Sequence, residues 1–333
     1  MAKNRPIPII ILLLSPIVII LAIVLSVIYG AKDININVIR DAFLNFDGEN
    51  VNHQIIMYSR IPRVIGALLI GAFLAISGAI MQGMTRNYLA SPSIMGVSDG
   101  SVFAITICMI FFPDTSSLNM IFYSFVGSAI GAGLVFGLAS LTPNGMSPVR
   151  LAIIGTITGS FLSSISAALS TYFQVSQNIS FWYNAKLHQI TPDKIKIIIP
   201  FAIIGIITSL IISKSITILS LGEEISISLG QNTKLIKIVA MGTVVILTGI
   251  SVALAGKIAF VGLIIPHIVR FFVGSDYRWI VPCSGVMGSI LLAFSDIISR
   301  FINYPFETPI GVVTSFIGVP FFLYLARTKG GKK

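Results

Sequence analysis

Long apolar blocks separated by short polar interruptions run almost the whole length of the chain. The blocks fall at about 7–29, 62–84, 95–112, 120–141, 149–172, 195–213, 236–255, 258–273, 279–298 and 310–325. Most approach the roughly 20 residues that a helix needs to cross about 30 Å of hydrocarbon, so ten spans are predicted. The most marked interruption is Ser220–Gly230, SLGEEISISLG, which reads as a short helix with both ends marked. Ser220 followed by Glu223 has the spacing of a capping box. Glu223 and Glu224 sit where the helix dipole favours negative charge, and Gly230 is suited to a left-handed C-terminal stop. Leu221, Ile225 and Leu229 recur every fourth residue and form an apolar stripe. By spacing alone this is either an amphipathic connector on the membrane surface or a helix that docks into another protein.

Other interruptions carry candidate chemistry. In the loop between the first two blocks, Val38, Ile39, Ala42, Phe43 and Phe46 share a helical face, predicting a helix that lies on the surface. Arg60 and Arg63 in SRIPR precede the second block; they fit interfacial anchors or contacts for an acidic partner. In that block Gly71, Ala75 and Gly78 line one side, which lets helices approach closely in lipid. The segment Gln82–Ser101 then places Pro92, Gly96 and Asp99 near membrane depth. Irregular backbone there needs protein or water around it, and an acid there is either a helix cap or a functional group. The fifth block is rich in small and hydroxylated residues. Asp99, Ser160, Ser163, Ser164 and position 167 (Ala167, small but without a hydroxyl) are candidates to line a wet pathway. The hydroxyls fit bonding back to the helix equally well. Trp182 and Tyr183 read as belt residues at the interface. Asp296, Arg300, Asn303 and Glu307 cluster towards the outer end of the ninth block, and Asp296 and Arg300, four apart, are spaced to pair across one turn.

Composition narrows the class. Of 333 residues, 55% are hydrophobic and 10% charged, against about 25% charged in soluble domains. An all-α integral membrane protein with one domain over 1–333 is the economical reading. The net charge of +10 fits basic cytoplasmic loops better than nucleic-acid binding. With both termini in the cytoplasm, 13 of the 22 Lys and Arg fall inside, and Ser220–Gly230 falls inside with them. Cys108 and Cys283 lie in apolar stretches and read as packing residues.

No phosphate loop, zincin motif or nucleophile elbow is present, so neither catalysis nor a bound cofactor is expected. Uphill transport would then draw on an ion gradient or a separate ATPase. The spans hold few acids, which weakens an ion-coupled secondary transporter.

Four segments carry a specific resemblance: SRIPRVIGALLIGAFLAISGAIMQGMTRNYLASPSIMGVSDGS, LSLGEEISISLG, AGKIAFVGLIIPHIVRF and ETPIGVVTSFIGVPFFLYL. In order and spacing the chain resembles the FecCD/BtuC-type permeases, the membrane subunits of importers for ferric siderophores, haem and vitamin B12. Within them it is most similar to ferric-catecholate permeases of low-GC Gram-positive bacteria, with hydroxamate, haem and B12 importers as alternatives. The resemblance implies a ten-helix BtuC-like fold of the type II importers and a multi-pass protein of a bacterial cell membrane. It implies a second permease subunit, a cytoplasmic ATPase dimer and an extracytoplasmic siderophore-binding protein as partners. It places Leu221, Gly222, Glu223, Glu224, Ile225, Leu229 and Gly230 in an ATPase-docking loop at about 214–235. It makes Arg60, Arg63 and Arg300 outward contacts for glutamates of the binding protein. Lys257 departs from the family pattern, which has a small residue or proline after the glycine at this point, and so does the bulky NYPFETP before the last block.

Overall fold

The computed structural model describes residues 6–30, 34–142, 147–183, 187–304 and 306–330. Lys3, Arg5, Lys32, Lys186, Lys332 and Lys333, which enter the charge count, lie outside the described residues. Among the described residues there are helices and turns but no strands. All ten predicted blocks are helical: α1 (Pro6–Ile28), α4 (Ile61–Thr85), α5 (Val97–Phe111), α6 (Ser117–Leu141), α7 (Pro148–Tyr172), α9 (Pro192–Leu221), α11 (Thr233–Ala255), α12 (Val261–Val273), α13 (Tyr277–Phe301) and α14 (Ile310–Gly330). Between them lie α2 (Ile36–Leu44), α3 (Val51–Ile55), α8 (Ser176–Tyr183) and α10 (Glu223–Ser228).

Helix α4 is the axis of the bundle, surrounded by α13, α11, α12 and α9. The small residues anticipated on its face are why. A Cβ at Gly71 would overlap the Gly288 carbonyl of α13, and one at Gly78 would overlap Gly262 of α12. Backbones meet at these crossings, which maximises dispersion contact where lipid supplies no hydrophobic drive. Phe73, Ile70, Ile80 and Met81 fill the space around them.

The second span starts earlier than predicted. Helix α3 runs on through a π-helical turn, Ile56–Arg60, into α4, giving one helix from Val51 to Thr85. Pro62 explains the turn. It lacks the N–H that Tyr58 would receive in an α-helix, and Ile61 N–H bonds to Ile56 O, five residues back. Helix α2 lies where predicted, packing Val38, Ile39 and Ala42 against Val27, Ile34 and Ile56. Its Phe43, and Phe46 just beyond it, stay exposed.

Two helices are too short to cross alone. Helix α5 has 15 residues and α12 has 13, about 22 and 20 Å at 1.5 Å per residue against a core of about 30 Å. Each is extended by irregular backbone, with positive φ at Gly96, Gly256 and Phe260. Tyr183 closes part of this gap. It is no belt residue: its hydroxyl donates to Ser101 Oγ (2.8 Å), and its backbone seals against Gly256.

The chain crosses so that α1 begins, and α14 finishes, at the same end of the bundle as α10. The opposite end, the arginine end, holds the π turn, the last turn of α1 and the loop between α13 and α14.

Candidate functional site

Helix α10 is built differently from the capping-box expectation. Helix α9 continues to Leu221, and Ser220 Oγ donates to Thr217 O (2.7 Å) within it, so Ser220 caps nothing. The break comes at Gly222, whose φ of 137° suits glycine, and α10 has no side-chain N-cap. Extending α9 by one turn satisfies more backbone than stopping for a cap. Leu221 and Ile225 therefore belong to successive helices rather than to one stripe. The predicted C-terminal stop is present: Gly230 has φ +78°, with Gly230 N–H to Ile227 O (2.8 Å) and Gln231 N–H to Ser226 O (3.0 Å). That double bond pattern is a Schellman motif.

Polar groups fasten α10 from beneath. Buried Ser226 shares its hydroxyl proton between Gly222 O (2.8 Å) and Ile218 O (3.1 Å), tying α10 to the end of α9. Glu223 accepts from Lys237 Nζ of α11 (2.7 Å) and from Thr233 Oγ1 (3.3 Å). The Lys237 hydrogen bond holds the Glu223 carboxyl below its ordinary range, against the opposing pull of partial burial. Held this way, Leu221, Ile225, Ile227 and Leu229 are 48 to 63% exposed. Glu224 is exposed beside them. Below α10, Thr217 Oγ1 meets Asp276 Oδ1 (3.2 Å) and accepts Tyr277 N–H (2.9 Å). Arg270 of α12 donates to Tyr277 Oη (2.8 Å) and lies 4.2 Å over the Tyr88 ring. A continuous set of contacts thus joins α10 to α13, α12 and the loop after α4.

At the arginine end, Arg60, Arg63 and Arg300 are only 5 to 7% exposed. They are not the outward-facing cations the resemblance implies. Arg60 donates to Val27 O (2.5 Å) and Ile28 O (2.9 Å), and Arg300 to Ser26 O and Tyr29 O (2.8 Å each). These carbonyls form the last turn of α1, where cations are favoured. Arg63 grips Asp296 in a two-pronged pair (Nε and Nη2, 3.0 and 2.9 Å) and Glu307 through Nη1 (2.5 Å). Arg300 closes on the other side of Asp296, the pairing its spacing predicts. Glu307 also meets His188 Nδ1 at 3.3 Å. Its carboxyl is pushed down to about 2, first by the His188 hydrogen bond and then by Arg63, with burial opposing both. The π turn supplies the geometry, rotating Arg60 toward α1 while Arg63 one turn on faces α13.

Between the ends, the pathway candidates separate. Ser163 Oγ donates to Asp99 Oδ1 (2.9 Å), and Lys257 Nζ lies 3.9 Å from the same oxygen. Asp99 therefore joins helices rather than capping α5, whose N-cap is Gly96. Ser160, Ser164 and Ala167 are exposed on one face of α7, whereas Thr156, Ser166 and Ser170 bond back to their own helix.

Residues 18–328 match the FecCD transport family. The chain belongs to that family. This FecCD permease is 62% identical over 324 residues to the iron-uptake system permease protein FeuB of Bacillus subtilis (strain 168), covering 97% of each chain. It is 48% identical over 303 residues to the iron(3+)-hydroxamate import system permease protein FhuB of the same organism, covering 91% of this chain and 79% of FhuB. A solved structure in an inward-facing conformation, assigned to the metal-chelate type of ABC transporter, aligns with a TM-score of 0.84 at 26% identity over 96% of this chain and 99% of that one. The FecCD permease is thus a multi-pass membrane transport subunit with a BtuC-like all-helical fold, not an enzyme.

Sequence reasoning missed Lys237, Ser226, Ile227 and Asp276 as parts of these sites. Ser226 and Lys237 carried a usable signal, being polar at positions that a polar island turns toward its neighbours. Glu307 was legible as a neighbour of Asp296 and Arg300, but its partners Arg63 and His188, distant in the chain, were not.

Proposed function

We propose that this FecCD permease is the membrane subunit of a binding-protein-dependent ABC importer for iron(III)–siderophore complexes, of the catecholate class. The observation that carries the importer reading is α10. Four large apolar side chains stand exposed from the end of α9 to the end of α10, which is fastened by Ser226 and by the Glu223–Lys237 pair. A rigid apolar tip without a cover is what a partner groove can grip and pull. In this reading α10 and both termini face the cytoplasm of a bacterial cell and two ATPase subunits seat on α10. A second permease subunit, identical or related, completes the path. An extracytoplasmic siderophore-binding protein docks on the arginine end. There Arg60, Arg63 and Arg300 act from within the network, the partner's glutamates competing with Glu307 for Arg63.

Iron as cargo is supported by the identity to FeuB, whose name is that of an iron-uptake permease. The FhuB likeness favours a second reading, a hydroxamate complex. The test is radioiron uptake by proteoliposomes holding the permease, its ATPase and its binding protein. ATP-dependent uptake of a ferric catecholate, faster than that of a ferric hydroxamate, is expected. Uptake of neither iron complex would overturn the reading, and faster hydroxamate uptake would favour the second.

A further inference from the structure

Lys257 lies in the irregular stretch between α11 and α12. Helix α12 has only 13 residues, which places that stretch roughly 20 Å above the α10 end and well inside a core of about 30 Å. Asp99 is the third residue of α5, and Ser163 lies past the middle of α7, so all three meet at membrane depth. Yet the Lys257 side chain is 54% exposed. Exposure to lipid at this depth is costly for an ammonium group, which would snorkel to the surface. Instead Nζ is directed to Asp99 Oδ1, at a separation loose enough to leave donors free. Lys257 also borders a groove of about 730 Å³ against α14, with Gly311, Ser315 and Phe316 on its far wall. It is the only charged residue among the described lining residues. Phe260, held at φ +69° with its ring packed on Gly318, braces the same stretch against α14.

We propose that Lys257, steadied by Asp99 and Ser163, is a cationic contact on the water-filled transport path that favours anionic metal chelates over neutral ones. The inference rests on the importer reading above and specifies its substrate class. Three doubly deprotonated catechols leave an iron(III) complex with net negative charge, whereas three hydroxamates only neutralise the metal. A passing anion competes with Asp99 for the ammonium group. The Asp99 charge also keeps the contact weak enough for release, as conduction past a site requires.

The complete importer in proteoliposomes tests this with two probes, radioiron in a tris-catecholate and in a trihydroxamate. Lys257→Met is expected to lower catecholate uptake by about two- to fivefold, the scale of one partly hydrated charge contact, while Lys257→Arg keeps most of it. ATPase stimulation by the binding protein is expected to persist in both. Unchanged catecholate uptake in Lys257→Met overturns the proposal. So does a parallel fall of uptake and stimulation in both variants, which marks a structural lesion. A second measurement does not need transport: Lys257→Cys should react with a membrane-impermeant sulfonated thiol reagent, the natural Cys108 and Cys283 being buried. Reaction with a lipid-soluble maleimide alone overturns the proposal. If the parent protein takes up neither iron complex, the importer reading fails, and the labelling result still decides whether Lys257 faces water.

Discussion

At the arginine end, three guanidinium groups are buried among carboxylates and helix-terminal carbonyls. At the α10 end, four large apolar side chains are exposed while Glu223, Ser226 and Lys237 work underneath them. Each end inverts the usual placement of its residue type. The two surfaces are prepared for different tasks. Buried charges, paired with one another or bonded to carbonyls except at Arg300 Nε, lock α1, α4 and α13 together. An exposed apolar tip on a fastened helix gains from being covered and transmits force once it is.

The strongest way to break this comparison is to remove the hub of the network. Asp296→Ala leaves Arg63 and Arg300 without their shared carboxylate, and should destabilise the protein by about 3–5 kcal/mol. Thermal unfolding in detergent reads this, and an unchanged midpoint would show that the end is not a structural lock. Next is the apolar tip. Ile225→Asp combined with Leu229→Asp should leave the unfolding midpoint in place yet reduce ATPase co-purification, since buried anchors contribute about 2 kcal/mol each at an interface. Retention of the ATPase would sink the docking role of α10.

A smaller effect is the acid sensitivity of the arginine end. The folded-state Glu307 carboxyl titrates at about 2 against an ordinary 4.5. Its contribution is therefore complete above pH 4.5 and is lost as pH falls from there toward 2. Unfolding midpoints measured between about pH 5 and pH 3 should decline less in Glu307→Gln than in the parent; an equal decline would mean other carboxylates govern. The smallest effect belongs to Glu223 and Lys237. Glu223 is half exposed, so a double-mutant cycle of Glu223→Gln and Lys237→Met should give a stability coupling below about 1 kcal/mol. A larger coupling would make the α10 end a second lock and erase the contrast.

Much of the fold was legible in the sequence because membrane solvent imposes few solutions. Apolar length gave ten helices, and Gly71, Ala75 and Gly78 gave the face on which α4 packs. Local pairs were legible too, such as Asp296 with Arg300, and Gly230 as a helix stop. What was not legible depends on competition or on distance along the chain. Ser220 has the spacing of a cap, but continuing α9 won, and a pattern of four residues holds no record of the thirty-residue helix behind it. Arg63 and Asp296 are 233 residues apart, so nothing local distinguishes a buried pair from two surface charges. Position 167, counted with the hydroxylated face of α7, is an alanine, and the serine that matters is Ser163, which reaches Asp99.

The π turn before α4 sets a phase. One additional residue in that turn sets the angular offset between everything before Pro62 and the helix after it. Deleting a single residue from 56–60 would remove that extra residue, while Pro62 would still withhold one helical N–H. The preceding segment would then swing by about 100° around the α4 axis and rise by about 1.5 Å. Arg60 would then point away from the end of α1. The shorter protein would have the weaker joint, so here the irregular turn is what sets the register of the whole arginine end.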